Sequence, residues 1–196
     1  MRTYTPKNAV LVPEKAEKVF DGEIFDIYQW QQELFDGSFA TFEMAKRSDT
    51  VNVIAIRGGK IVVVNDEQPN RPARLSLPGG RHDDESETEL DAVKREMLEE
   101  TGMSFRTWKM VKCFEPIQAT NKIEWFNYLF VAYDFESEVA PKLDAGEKIE
   151  VKYMSYEDYL GIEPTADGGA MKELFDFVRK AGSIDGVKNL PDISKV

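Results

Sequence analysis

Cysteine and histidine are nearly missing from this sequence, with Cys113 and His82 the single examples of each in 196 residues. One cysteine excludes an intrachain disulfide, and the two residues together are too few for a Cys/His zinc site. Positive charge is also scarce: 25 Lys+Arg stand against 36 Asp+Glu, a formal net charge of −11. Such a field repels polyanions, so a nucleic-acid polymer is not an expected partner, whereas small phosphorylated ligands need only local cations. Long apolar runs are absent too. The longest stretches, Val51 to Ile56 and Ile61 to Val64, fall far below the roughly 18 residues of a membrane span. The opening MRTYTPKNAV lacks the apolar segment of a secretory signal, so no membrane role and a cytoplasmic location are the expectations. Chemistry is left to carboxylates and to a hard metal held by them.

What is present suits a folded domain. Hydrophobic residues make up 42% and charged residues 31%, enough for a core in one domain with a small appendage. Residues 18–46 read as strands punctuated by Asp21-Gly22 and Asp36-Gly37 turns. A hairpin of buried strands then spans 51–64 around Arg57-Gly58-Gly59-Lys60, and Leu75-Ser76-Leu77 is a short strand stopped by Pro78-Gly79-Gly80. Thr88 to Thr101 reads as a helix closed by Gly102. Strands follow near 105–114, 123–133 and 149–154, then helices near 156–160 and 170–180. The mixture predicts an α/β fold, a mixed sheet covered by helices. We expect an N-terminal β-region over 1–48, a main domain over 49–181 and a loosely held tail over 182–196.

The helix is the informative element. At about 100° per residue, with Glu96 at zero, Glu99 falls at about −60° and Glu100 at about +40°, so three carboxylates share a face. Val93, Met97 and Leu90 form an apolar stripe beside it, which sets the acids at the margin of the core. Like charges at these spacings cost about 0.2–0.5 kcal/mol per pair. Glu99 and Glu100 also sit in the last turn, where the helix dipole disfavours anions by about 0.3–1 kcal/mol. A solvated acidic face helped by Lys94 and Arg95 is one explanation; a bound divalent cation, which reverses both signs, is the other. The glycines before the helix would let backbone groups approach a metal or phosphate.

Glu87, Arg95, Glu96, Met97, Glu99, Glu100, Gly102 and Met103 together resemble the Nudix box, the signature of the Nudix hydrolases: Gly, five residues, Glu, seven residues, Arg-Glu-apolar-any-Glu-Glu-any-Gly-apolar. One departure stands out. Gly80 precedes Glu87 by seven residues where the pattern has six, so the Arg81 to Ser86 loop carries an extra residue. The resemblance implies an α/β/α sandwich around a mixed sheet and Mg²⁺- or Mn²⁺-dependent hydrolysis of a nucleoside diphosphate linked to another moiety. It implies a metal role for Glu96, Glu99 and Glu100, with a carbonyl of Gly79 or Gly80 as a further ligand. Arg95 would orient a glutamate and Glu87 would support the loop-helix junction. The general base would be Glu99 or Glu100 from within the box, or Glu147 from the loop Asp144-Ala145-Gly146-Glu147-Lys148, an arrangement that resembles the ADP-ribose pyrophosphatase branch.

The N-terminal strands are similar to that branch as well, where such a region serves a homodimer and the base-binding cleft. Tyr28, Trp30, Phe35 and Phe39 would then stack a nucleobase, and Arg47, Arg71 and Arg74 would meet the diphosphate. Phe114-Glu115-Pro116-Ile117-Gln118 lacks the second proline of the branch, and Ser76-Leu77-Pro78-Gly79-Gly80 lacks its usual glutamate and alanine. ADP-ribose or another nucleotide sugar leads the expected substrates. Nucleoside triphosphates and a non-catalytic nucleotide-binding module are the alternatives.

Overall fold

The computed structural model describes residues 2–84, 86–115, 122–162 and 169–195. Four short strands form one sheet in the order β1-β2-β3-β9: Glu17–Phe20, Asp26–Glu33, Phe39–Lys46 and Ile123–Glu124. The β2–β3 hairpin is antiparallel and sets Trp30 opposite Phe42 and Tyr28 opposite Met44. The larger sheet runs β11-β5-β4-β10-β8, from Lys148–Met154, Lys60–Gln68, Asp49–Arg57, Asn127–Glu138 and Met103–Phe114. Its strands β4 and β10 are parallel while β10 and β8 are antiparallel, so the sheet is mixed.

Alternation along the strands divides the core. Val51, Val53, Ala55 and Val62 face helix α1, Glu89–Thr101, together with its Ala92, Val93 and Met97. Ile54, Ile56, Ile61 and Val63 face the other way, toward α2 (Tyr156–Leu160), α3 (Gly169–Lys180) and α4 (Ile184–Lys188). The result is the expected α/β/α sandwich.

Three details differ from the sequence reading. Leu75-Ser76-Leu77 was expected to end at a turn, but β6, Arg71–Ser76, is followed at once by β7, Gly79–His82, which pairs antiparallel with β4. Gly79 has φ 147°, and a Cβ there would fall 2.0 Å from the Val51 carbonyl oxygen, so only glycine permits the approach. Leu90 does not join the apolar stripe and is 37% exposed. The helix is turned to bury Glu89 and Glu100 in line with Val93 and Met97, where backbone amides elsewhere in the chain donate to both carboxylates. The stretch beyond 181, read as loose for want of periodicity, packs through α4: Val187 joins the core beneath the sheet, and Lys109 Nζ donates to the Lys188 carbonyl at 2.8 Å. One apolar anchor suffices where a periodic pattern is too short to show. Pro116-Ile117-Gln118 lies outside the described residues, as does Glu85 within the loop that carries the extra residue. Among the described residues, no helix is long and apolar enough to cross a membrane.

The N-terminal arm ties the two sheets to α1. Arg2 donates to both oxygens of Asp49, at 2.6 and 3.0 Å, and to Glu124 at 2.7 Å. Thr3 N–H donates to the fully buried Glu89 at 2.7 Å. Removing one member of a buried ionic cluster strands the others, at about 3–5 kcal/mol. Lys46 also reaches Glu124, at 3.1 Å, which places Arg2→Ala at the low end, near 3 kcal/mol. Urea unfolding checks this, with a lower midpoint at unchanged slope as the expected outcome.

Candidate active site

Helix α1 begins with a capping box. Thr88 accepts from Asp91 N–H at 3.1 Å and its own N–H reaches back to the Asp91 carboxylate at 3.4 Å. It ends at Gly102, whose φ of 72° suits a left-handed cap. Between these stops one guanidinium organises the acids. Arg95 donates through Nε to Glu87 at 3.0 Å, through Nη1 to Glu96 at 2.8 Å and Glu99 at 3.1 Å, and through Nη2 to the Arg81 carbonyl at 3.1 Å. Burial opposes its charge, but the hydrogen bonds it donates to Glu87, Glu96 and Glu99 outweigh that and hold its pKa above the usual arginine range.

The glycines of β7 lie directly against these side chains. A Cβ on Gly80 would fall 2.5 Å from the Glu96 carboxylate, so the missing side chain is what admits the acid. Gly79 N–H donates to Glu100 Oε2 at 2.9 Å. Glu100 is 7% exposed. Burial, then the charges of Glu96, Glu147 and Asp66, push its pKa up to about 9 against the single favourable bond from Gly79. Glu96 is raised by the same main cause, burial, with Glu99 and Glu147 adding repulsion. Glu147 thus lies close enough to be felt by two box glutamates. Its carboxylate accepts from Asp144 N–H at 3.2 Å, folded onto its own loop.

Among the described residues, no three acids, histidines or cysteines converge on one point. Arg95 bridges Glu96 to Glu99, and Glu100 turns toward Gly79. The donor set nevertheless fits a hard divalent cation: carboxylate oxygens are on offer, two of the acids are desolvated, and the absent Gly80 side chain lets Glu96 lie against the backbone of β7.

The arginines group differently from the acids. Arg71 is ion-paired with Asp66, and the register puts Arg74 opposite Asp66 on the neighbouring strand. Both arginines therefore flank the carboxylate whose charge reaches Glu100. Arg47 lies apart, over the rings of Trp125 at 5.1 Å and Phe25 at 5.7 Å. Tyr28 and Trp30 belong to the smaller sheet. Lys18 Nζ sits 5.9 Å from the Tyr28 ring and Trp30 packs on Phe42 at 6.0 Å. Phe35 and Phe39 are exposed in the same hairpin. Sequence reasoning passed over Glu89, Asp66, Arg81 and Trp125. Asp66 carried a signal, an acid at the end of an apolar strand; the others had none that periodicity reveals.

The family model of the NUDIX domain matches residues 46–176, more than half of the chain. The protein belongs to the Nudix family. It is a Nudix hydrolase, and the Glu87 to Met103 segment described above is its signature. The chain is 29% identical over 147 residues to the ADP-ribose pyrophosphatase of Bacillus subtilis (strain 168), covering 74% of this chain and 78% of that one. Its fold is similar to the crystal structure of an ADP compounds hydrolase, with TM-score 0.64 at 18% identity, covering 85% of this chain and 91% of the other. It is also similar to a MutT Nudix hydrolase from Burkholderia pseudomallei, with TM-score 0.50 at 20% identity over 66% and 95%.

The buried glutamate makes stability pH-dependent in a definite direction. With a folded pKa of about 9 against an ordinary 4.5, Glu100 keeps its proton in the native state over a range where the unfolded chain has lost it. The native state then binds more protons, so this group's contribution to stability falls as pH rises from about 5 to 9. Melting temperatures in EDTA should decline across that range, and Glu100→Gln should flatten the decline.

Proposed function

We propose that the protein hydrolyses the pyrophosphate bond of a nucleoside diphosphate derivative, ADP-ribose first and other nucleotide sugars next, with Mg²⁺ or Mn²⁺ as cofactor. The observation that carries this reading is the pair of desolvated glutamates, Glu96 and Glu100, set against side-chain-free backbone at Gly80 and Gly79. The named activity of the Bacillus subtilis relative supports the choice of ADP-ribose.

Glu96, Glu99 and Glu100 would hold the ion, with backbone at Gly79 or Gly80 beside them. When bound, a divalent ion neutralises charge on the phosphoryl oxygens and acidifies a water for in-line attack on phosphorus. Arg95 acts on the acids themselves. By gripping Glu87 and bridging Glu96 to Glu99, it fixes their rotamers and offsets their repulsion until a cation arrives. Arg71 and Arg74, beside Asp66, take phosphate oxygens near Glu100, with Arg47 as a further cation for the diphosphate. Glu147 would take the proton of the attacking water, which requires its carboxylate to leave the Asp144 amide. Glu99 or Glu100 is the alternative base. The reaction is balanced by water alone: one P–O bond forms, the bridging P–O bond breaks, and two phosphate monoesters leave.

The smaller sheet supports a homodimer. It leaves Phe20, Phe35, Phe39 and Phe42 exposed, apolar surface that a second copy would cover. Tyr28 and Trp30 in its centre would then line the cleft for the base. A cytoplasmic location accords with a small nucleotide as substrate.

A panel of ADP-ribose, other nucleotide sugars, dinucleoside polyphosphates and nucleoside triphosphates, assayed with Mg²⁺ and with EDTA, tests the reading. Metal-dependent release of AMP from ADP-ribose is the expected outcome. Turnover confined to triphosphates would overturn the substrate, and none on any member would favour a binding module. Glu147→Gln should lower kcat by about 10²- to 10⁴-fold if it is the base; a change of only a few-fold removes it from that role.

A further inference from the structure

Arg81 carries no signal in the sequence beyond its place in the loop after the glycines, yet its position in β7 is telling. Val51 pairs with Gly80 and faces α1, whereas Thr50 pairs with Arg81, one residue on. Successive side chains of a strand point to opposite faces, so Arg81 projects from the face of the sheet away from α1. Thr50 on that face receives the Trp125 indole N–H at 3.0 Å, and the same indole carries the Arg47 guanidinium at 5.1 Å. Arg47, Trp125 and Arg81 therefore form one patch behind the glycine strand.

Among the described residues, the patch has two cations and no carboxylate hydrogen-bonded to either. Arg47 Nε is buried without a hydrogen-bond partner among the described residues. Burial, and next the charge of Arg81, pull the Arg47 guanidinium below its usual range. The nearest acid, Asp49, is already engaged by Arg2 through both oxygens and by Phe126 N–H at 2.9 Å. Arg81 is half-exposed, and its ion contact is a 3.8 Å approach to Asp83. In a chain with eleven surplus negative charges, two adjacent arginines with no hydrogen-bonded carboxylate among the described residues suit an anion from outside. Strand β7 carries glycine at 79 and 80, so at those two positions only backbone lies between Glu96 and the arginine patch.

We propose that Arg81 is a substrate-binding residue: with Arg47 it grips a phosphoryl group of the nucleoside diphosphate derivative, across the glycine edge of β7 from the carboxylates of α1. This rests on the hydrolase reading above and assigns the end of the diphosphate remote from Glu96 and Glu99. The planar fork of Arg81 supplies paired donors, and the half-buried Arg47 supplies charge in a site where water competes poorly.

The test is binding without turnover. Calorimetry in EDTA with AMP, inorganic pyrophosphate and adenosine is run on wild type, Arg81→Gln, Arg81→Lys and the distant control Arg106→Gln. Arg81→Gln should weaken AMP and pyrophosphate by about 10- to 100-fold, the loss expected for hydrogen bonds between charged groups. Arg81→Lys should recover part of that, adenosine should be indifferent to either change, and KM for the turned-over substrate should rise more than kcat falls. Equal melting temperatures for wild type and Arg81→Gln are expected. Wild-type AMP affinity in Arg81→Gln, an equal loss in Arg106→Gln, no anion binding by wild type, or a loss that tracks a fall in melting temperature and is not relieved by lysine would each overturn the assignment. Metal-dependent turnover by wild type on the same preparation separates that failure from failure of the hydrolase reading.

Discussion

Two glutamates on one helix are both taken out of water, and what meets them decides everything downstream. Glu89 at the start of α1 receives the Thr3 and Tyr4 amides and the Thr3 hydroxyl. Glu100 near the end receives one amide, from Gly79, and faces the charges of Glu96, Glu147 and Asp66. A buried carboxylate with several donors is a structural strut. A buried carboxylate with one donor and like charges around it is unfinished, and either a proton or a cation must complete it. That difference in partners, rather than residue type or burial, separates scaffold from site.

The helix holding both is fixed at each end. At its start the N-terminal arm reaches Glu89. At its end a Cβ on Gly102 would fall 1.9 Å from the Val139 carbonyl, and Val139 N–H donates to the Gly102 carbonyl at 2.9 Å. The acids of the last turn are therefore carried on a rod whose ends are anchored to different parts of the chain. A site that orders its ligands in advance loses little on binding an ion, because the reorganisation has been settled by folding. Arg95 completes this by holding Glu96 and Glu99 together where they would otherwise repel.

How much of this was legible in the sequence depends on what kind of signal each residue leaves. Glu96, Glu99 and Glu100 showed because a helix has a period, and because three acids at its C-terminal end oppose both propensity and dipole. The strands from 51 to 64 showed because apolar residues recur there. Strand β7 did not, since Gly79 and Gly80 read as a turn; a strand without side chains has no pattern, only a partner, and that partner, β4, is 27 or more positions away in register. Glu89 reads as an ordinary first-turn acid until the arm supplies Thr3, 86 residues distant. Arg47, Arg71 and Arg74 were singled out as a set, yet the fold sends Arg71 and Arg74 to Asp66 and Arg47 to Trp125. Long-range pairing, which a single sequence does not encode locally, accounts for each of these differences.

The overall charge sharpens the question of where cations are left over. Asp49 and Glu124 are paired with Arg2 and Lys46, and Asp66 is paired with Arg71 through one oxygen. An excess of acids would be expected to claim every nearby arginine, since a half-buried guanidinium left unpaired pays desolvation without return. Arg47 escapes that pairing among the described residues although Asp49 lies two residues away, because Arg2 reaches Asp49 from the far end of the arm, and Arg81 is approached by Asp83 at 3.8 Å. The arm thus does two things through one side chain: it neutralises an acid the fold must bury, and it keeps that acid from quenching the cations beside the glycine strand. An anionic ligand approaching a protein of net charge −11 meets repulsion at long range, screened beyond about 8 Å in physiological salt. At this edge of the sheet it meets the adjacent guanidinium groups of Arg47 and Arg81.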